Sequence, residues 1–446
     1  MYDFVIVVEK LQRELDSAAL IAGTLKKNGY LCEIVKFPFV NEYELQRKYK
    51  NKVRVVLTQS LYCDRTIYNL VYHIFGKVKN IVDLRWEQIF TNERFKDIDS
   101  YNYPHGSAQR AYHVCWGEKI KYYMEKAGIK EERLPVTGPV HLDFCRKRFE
   151  RLYPKKTELF ERLKIPQDKK FLLFISSFSY STLTQTELKG LGELLGKEVI
   201  DKFADLSRNS RNILLEWFKE LLAIRTDIII VYRPHPAERE DEVLKRIETE
   251  YHNFRVIAEG SILPWIKAAD QIYNWFSTSV IEVVSSGKKC KILRPIEIPY
   301  EQDVVTLSDM EFITNKEQFF QSTMENDSIS DRDGAKLQLY YDIKENELSA
   351  DRLCECLKRI VSDKDDVFQW NGKLMIKMKL WSARSAMQKW CYLIGDHIYR
   401  LIRKTGVRNS RMEQHILNCK KESIQYQEDC SRINNRMKVI EKYAGK

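Results

Sequence analysis

The sequence has no apolar run of about 18 residues, so it predicts no transmembrane helix. Its start, MYDFVIVVEK, has neither a basic leading region nor a small-residue cleavage site, and reads as a first strand instead of a secretory signal. The ten cysteines include no CxxC pair. Scattered through a large chain, they are expected to be reduced core residues of a cytoplasmic protein. Cys354 and Cys356 fall two apart in a predicted helix, where side chains at i and i+2 do not face each other, so a shared metal is not expected. No His/Cys/Asp cluster has metal-ligand spacing, and neither a Walker A loop nor a GxGxxG turn is present. Asp97-x-Asp99 is an acidic pair of metal-holding type, but no apolar strand leads into it. There is no internal sequence repeat.

What is present is length, an apolar core and charge. The 446 residues, 44% of them hydrophobic and 31% charged, suffice for two ordinary domains plus an appendage. The net charge of +11 is concentrated. Lys373, Lys377, Lys379, Arg384, Lys389, Arg400, Arg403, Lys404 and Arg408 face a single acid, Asp396, over the same stretch. Trp370, Met375, Leu380, Trp381, Trp390, Ile394 and Ile398 are interleaved with them. Residues 366–408 are therefore expected to form interfacial helices that hold the protein peripherally at the anionic inner face of the cell membrane. No nucleic-acid partner is expected.

Short strands alternate with helices from the start. Phe4–Val8, 31–35, 53–57, 79–84, 112–116 and 134–137 read as strands, with a helix from Asp16 or Ser17 to Gly29 after the first. A charged helical bridge spans 146–165. A second domain, 166–362, repeats the pattern with strands at 171–175, 228–233, 254–257, 271–275 and, last, 289–293, and a helix over 212–224 before the second of them. The first domain spans 1–145 and the basic amphipathic tail 366–446. The fold class is α/β, with two doubly wound parallel sheets.

Ligands of such sheets bind outside the carboxyl ends of strands. The run IIIVYRPHP delivers Arg233 and His235 there, with prolines fixing the backbone around the histidine. Both suit a phosphate. Ser277, Thr278 and Ser279 follow the strand ending at 275 and open a helix, which suits an anion; Glu282, one turn in, is placed to accept ribose hydroxyls. In the first domain the loop from Glu9 to Asp16 offers a carboxylate as general base. Glu14 and Asp16 are the candidates and Glu9 the weaker one, with Arg13 beside them. Trp86 and Glu87, after a first-domain strand, suit an acceptor sugar.

These stretches resemble a known group. EKLQRELDSAALIA resembles the E-x-x-x-RELD opening of bacterial surface-carbohydrate biosynthesis proteins. VCWGEKIKYYMEKAGI and LPVTGPVHLDFCR are similar to the same group's stretch before the interdomain bridge. RPHP and FSTSVIEVVSSGK resemble the HP and Ser-Ser/Thr motifs of GT-B transferases for capsule, O-antigen and related polymers, the sialyl- and Kdo-transferases and the CDP-glycerol polymer transferases. The resemblance covers about residues 1 to 300. It implies two Rossmann-like domains facing across a cleft and a metal-independent, inverting glycosyltransferase that needs no cofactor. The donor would be a nucleotide sugar, CMP-linked in the first instance, and the acceptor a surface polysaccharide or lipid-linked glycan. His235 and Ser277–Ser279 would hold the CMP phosphate, and Glu14 or Asp16 the acceptor hydroxyl. The acidic-acidic-Gly motif of the sialyltransferases has no match here, which leaves the base open between those two. A nucleotide-sugar epimerase of the same fold, or a non-catalytic assembly protein of a polysaccharide complex, are the alternatives.

Overall fold

A computed structural model describes the chain except residues 101, 308–309, 326–336, 404–409 and 445–446. For 194–195, 393, 396, 400–403, 410–413, 415–416 and 419–420 it describes the backbone only. The chain divides into two compact units: Met1–Gln88 with Asp97–Asp143 and Tyr341–Lys446, and Ile89–Lys96 with Phe144–Tyr340.

The first unit is built on five parallel strands: β1 (Tyr2–Val8), β2 (Cys32–Lys36), β3 (Val53–Thr58), β4 (Asn80–Asp83) and β5 (Tyr112–His113). Their order is β2-β1-β3-β4-β5. Ile6 pairs with Ile34 on one side and Leu57 on the other. The central strands are apolar on both faces, as a sheet covered by helices on each side requires. The chain leaves β1 for β2 in one direction and returns to β3 in the other, so the crevice between the carboxyl ends of β1 and β3 is a topological switch point.

Helix α1 covers Leu11–Lys27, five residues earlier than the expected start at Asp16. The apolar stripe explains the difference. Leu11, Leu15, Ala18, Ala19, Ala22 and Leu25 follow helical spacing and are all buried. Gln12, Arg13 and Asp16 fall outside that stripe, and the connection after β1 is only Glu9 and Lys10. The stretch 134–137 is not a strand. It makes one bridge, Cys115 to Val136, because Pro135 has no N–H to offer a ladder.

The second unit carries six parallel strands: β6 (Lys170–Ile175), β7 (Ile228–Arg233), β8 (Phe254–Val256), β9 (Gln271–Asn274), β10 (Lys291–Leu293) and β11 (Glu311–Ile313). Their order is β11-β10-β9-β6-β7-β8, with the switch point between β6 and β9. The strand at 291–293 is not the last: β11 adds outside it, too short and half-exposed to show as an apolar run. Helix α2 (Lys197–Ile224) begins well before the expected Asn212 and packs Leu214, Phe218 and Leu221 onto the core beneath β6 and β7. Helix α3 (Val280–Ser285) follows β9.

Three helices close the chain: α4 (Ser349–Ser362), α5 (Gly372–Arg403) and α6 (Ser410–Ile440), all within the first unit. α6 lies against α1. Arg436 makes a two-pronged ion pair with Asp16 at 2.6 and 2.7 Å, and Lys26 meets Glu441 at 2.9 Å. Gly23 permits the approach, since a Cβ there would stand 3.1 Å from that of Ala444.

Candidate functional site

In the second unit the ends of β6, β7 and β9 are level. Ile175 pairs with Arg233 on one side and Asn274 on the other. The residues that follow, Ser176–Ser177, Pro234–His235 and Trp275–Ser279, therefore emerge together at the switch point. Asn274 is fully buried and holds the third of these loops from both sides. Its Oδ1 accepts from the Ser277 N–H at 2.7 Å and its Nδ2 donates to the Ser277 carbonyl at 2.7 Å. Ser277 Oγ then accepts from the Ser279 N–H at 3.2 Å, which tightens the turn leading into the short α3. Thr278 between them is exposed.

The histidine loop is fixed by a residue that sequence reading missed. Glu238, its side chain fully buried, accepts from the hydroxyls of Tyr232 and Ser176, both at 2.6 Å, and from the His235 backbone N–H at 3.2 Å. Arg211 approaches it at 3.8 Å and pairs with Asp241 at 2.7 Å. Burial pushes the Tyr232 hydroxyl well up, so it stays protonated and donates. His235 itself is exposed, and its Nδ1 accepts from the Ala237 N–H at 3.1 Å. In the neutral ring the proton is then on Nε2, the atom farther from the backbone. Ser177, one step along, has a buried hydroxyl with no hydrogen-bond partner among the described residues.

Arg233 corrects its expectation. It does not project from the strand end. Its guanidinium turns back, buried, onto the carbonyls of Ile257 (2.9 Å), Glu259 (2.6 Å) and Gly260. Those carbonyls end the neighbouring loop after β8 and take up its donors, and burial lowers its pKa to about 10, still a cation at neutral pH. Arg233 braces the site's wall. Glu282 is half-buried on α3, and burial pushes its carboxyl up to about 7. It sits near neutrality where an ordinary glutamate is fully ionised.

In the first unit, Glu14 and Asp16 are separated by the helix. Two residues apart on α1, they point to different faces. Asp16 lies inside α1, which starts at Leu11, so it does not cap the helix, and its carboxylate is engaged by Arg436. Glu14 is fully buried on the other face. Its Oε2 accepts from the Glu9 N–H at 2.6 Å, closing the β1–α1 turn, and its Oε1 accepts from Arg13 at 3.0 Å. Burial raises the carboxyl's pKa against the opposing pull of these bonds. Arg13, half-exposed, also donates to Glu87, whose side chain is largely in solvent. Glu9 contributes its backbone here and is itself half-buried.

The loop after β4 is set by Arg85, which adopts φ of +42°, donates its N–H to Asp83 at 3.0 Å and its guanidinium to the Asn102 carbonyl at 2.7 Å. Trp86 follows, buried, with its N–H 3.4 Å from the Gln59 carbonyl at the end of β3. Trp86 Nε1 and Gln59 Oε1 are both buried without a hydrogen-bond partner among the described residues. His141 was also missed. Its ring lies 5.0 Å from that of Trp116. Burial and the Arg13 charge lower its pKa to about 4, so it is neutral at pH 7.

No protein-family model matches this chain, and no curated protein does. Solved structures do. The Staphylococcus aureus MnaA structure with UDP aligns at a TM-score of 0.52 and 14% identity, over 83% of this chain and 100% of its own. A Listeria monocytogenes protein described as a UDP-N-acetylglucosamine 2-epimerase aligns at 0.52 and 13%, over 83% and 99%. The wall teichoic acid polymerase TagF, soaked with CDPG, aligns at 0.49 and 10%, over 80% and 88%. The first two share the fold: two parallel sheets with covering helices, of the GT-B type.

Proposed function

We propose that this chain is a nucleotide-sugar enzyme of the GT-B class, and that it transfers the sugar, with inversion and without a metal, onto a surface polysaccharide or lipid-linked glycan. The observation that carries this is the convergence of three loops at the β6–β9 switch point, with His235 Nε2 as a donor and serine hydroxyls beside it. Such a set stabilises a departing phosphate, because its donors are already oriented when charge develops. His235, Ser177, Ser277, Thr278 and Ser279 hold the nucleotide phosphate, and Glu282 faces the ribose. On the acceptor side, Glu14 is the base and Arg13, Glu87 and Trp86 position the sugar. Trp86 Nε1 and Gln59 Oε1, buried and without a partner among the described residues, are the kind of groups an acceptor hydroxyl satisfies. A CMP-linked donor remains the first choice from the motifs.

A second reading has its own support. Two solved structures that align in fold are one holding UDP and one described as a UDP-N-acetylglucosamine 2-epimerase. An epimerase would use the same phosphate loops with a UDP-sugar and would require no acceptor. The test is turnover of CMP-, CDP- and UDP-sugars with and without a lipid-linked acceptor. Nucleotide release that depends on acceptor supports transfer. Isomerised sugar from donor alone supports epimerisation and overturns it.

A further inference from the structure

Helix α5 has two unlike faces. One is committed to the first unit. Leu374 and Met378 are buried beside Phe368 in its core, the Trp381 ring lies 5.7 Å from that of Tyr68, Lys377 pairs with Asp64 at 2.5 Å, and Lys389 pairs with Glu42. The other face carries Ile376, Leu380, Met387, Trp390, Ile394 and Ile398. At about 100° per residue these six fall within about 80° of arc. Every one of them is between 49% and 69% exposed. The stripe runs for about 33 Å at the helical rise.

Its borders are cationic. Lys373 and Arg384 lie along one edge and Lys379 along the other, all exposed and without an ion pair among the described residues. No Asp or Glu occurs from 372 to 395. Arg400 and Arg403 continue the helix with side chains that are not described, and Lys404 and Arg408 lie outside the described residues.

We propose that this face of α5 docks flat on an anionic phospholipid bilayer. Apolar side chains including a tryptophan enter the interface while lysine and arginine at the margins meet lipid phosphate. The helix lies on the surface, since no described helix is long and apolar enough to cross a membrane. A second copy of the chain fits less well. The stripe's 3-4 spacing would suit a coiled coil, but both borders are positive, so two copies would set like charges against each other where a coiled coil needs opposite ones. The inference does not rest on the nucleotide-sugar reading and stands or falls apart from it.

The test is co-sedimentation of the full chain with vesicles of phosphatidylcholine alone and with about a third phosphatidylglycerol, beside light scattering in solution. The expected result is at least ~10-fold tighter binding to the anionic vesicles. Leu380→Glu with Trp390→Glu, and separately Lys373→Glu, Lys379→Glu and Arg384→Glu together, should each lower that binding about tenfold or more. All five side chains are exposed, so melting temperature should not change. Absence of vesicle binding, equal binding to neutral vesicles, or variants that bind like the parent would overturn the proposal. So would a dimer that Leu380→Glu with Trp390→Glu dissociates while vesicle binding is missing, which would give the face to a second copy.

Discussion

The backbone N–H of Ala237 donates to Nδ1 of His235 across 3.1 Å. A ring held that way can accept only at Nδ1 and donate only at Nε2. Protonating both nitrogens would remove the acceptor and turn the loop's own N–H against it. With Nδ1 occupied in this way, Nε2 is the ring's donor, and under the proposed function it meets a phosphate oxygen. His235→Ala should weaken nucleotide binding about 10- to 100-fold, the worth of about 1.5–3 kcal/mol for a hydrogen bond to a charged group. Titration calorimetry reads it, and an unchanged Kd would remove His235 from the site.

Glu238 keeps that ring in place. Its carboxylate accepts two hydroxyls and one backbone N–H. Glu238→Gln presents an amide donor to groups that already donate, so it should cost about 1–3 kcal/mol in urea unfolding. It should also weaken nucleotide binding, although Glu238 itself touches no nucleotide in this account. Lost stability with full affinity would show that the loop does not depend on it.

Glu14 and Asp16 separate cleanly by experiment. Glu14→Gln keeps size and removes the proposed base, so turnover should fall about 100- to 10,000-fold with nucleotide affinity kept. Asp16→Asn breaks a partly exposed pair with Arg436, which should lower stability by about 1 kcal/mol or less and leave turnover near the parent's. The reverse pattern would return the base to Asp16.

The two carboxylates also show what was legible. The alternation of strands and helices, and the loops that end β7 and β9, could be read from apolar runs closed by prolines and hydroxyls. The true start of α1 could not, because polar residues at its outer positions look like a loop until the leucines at 11 and 15 are counted as its first buried turn. Nor could the fate of Asp16 or Arg233. Their partners, Arg436 and the carbonyls of 257–260, lie far along the chain or in the backbone, where residue type carries no signal. Glu238 was invisible for the same reason: its three partners meet only after β6 and β7 pair.

Glu282 gives a pH signature. Its folded pKa, about 7, exceeds the ordinary 4.5. A carboxyl raised in this way stabilises the fold fully below its unfolded value and loses that contribution as pH rises to the folded one. Relative to Glu282→Gln, the parent should lose on the order of 2–3 kcal/mol between pH 4.5 and pH 8. Urea unfolding of both proteins at pH 5 and pH 8 measures the difference. An identical gap at the two pH values would mean that the carboxyl titrates normally.

The central claim, a nucleotide-phosphate site at the carboxyl ends of β6, β7 and β9, is tested most directly by thermal shift with CMP, CDP, UDP and GDP on the parent and on His235→Ala. A nucleotide at about 100 times its Kd adds about 2.7 kcal/mol. A rise of several degrees is expected with at least one of the four, CMP or CDP for a CMP-type donor site and UDP for the epimerase reading, and a smaller rise in the variant. No rise with any nucleotide, or the same rise in both proteins, would contradict it.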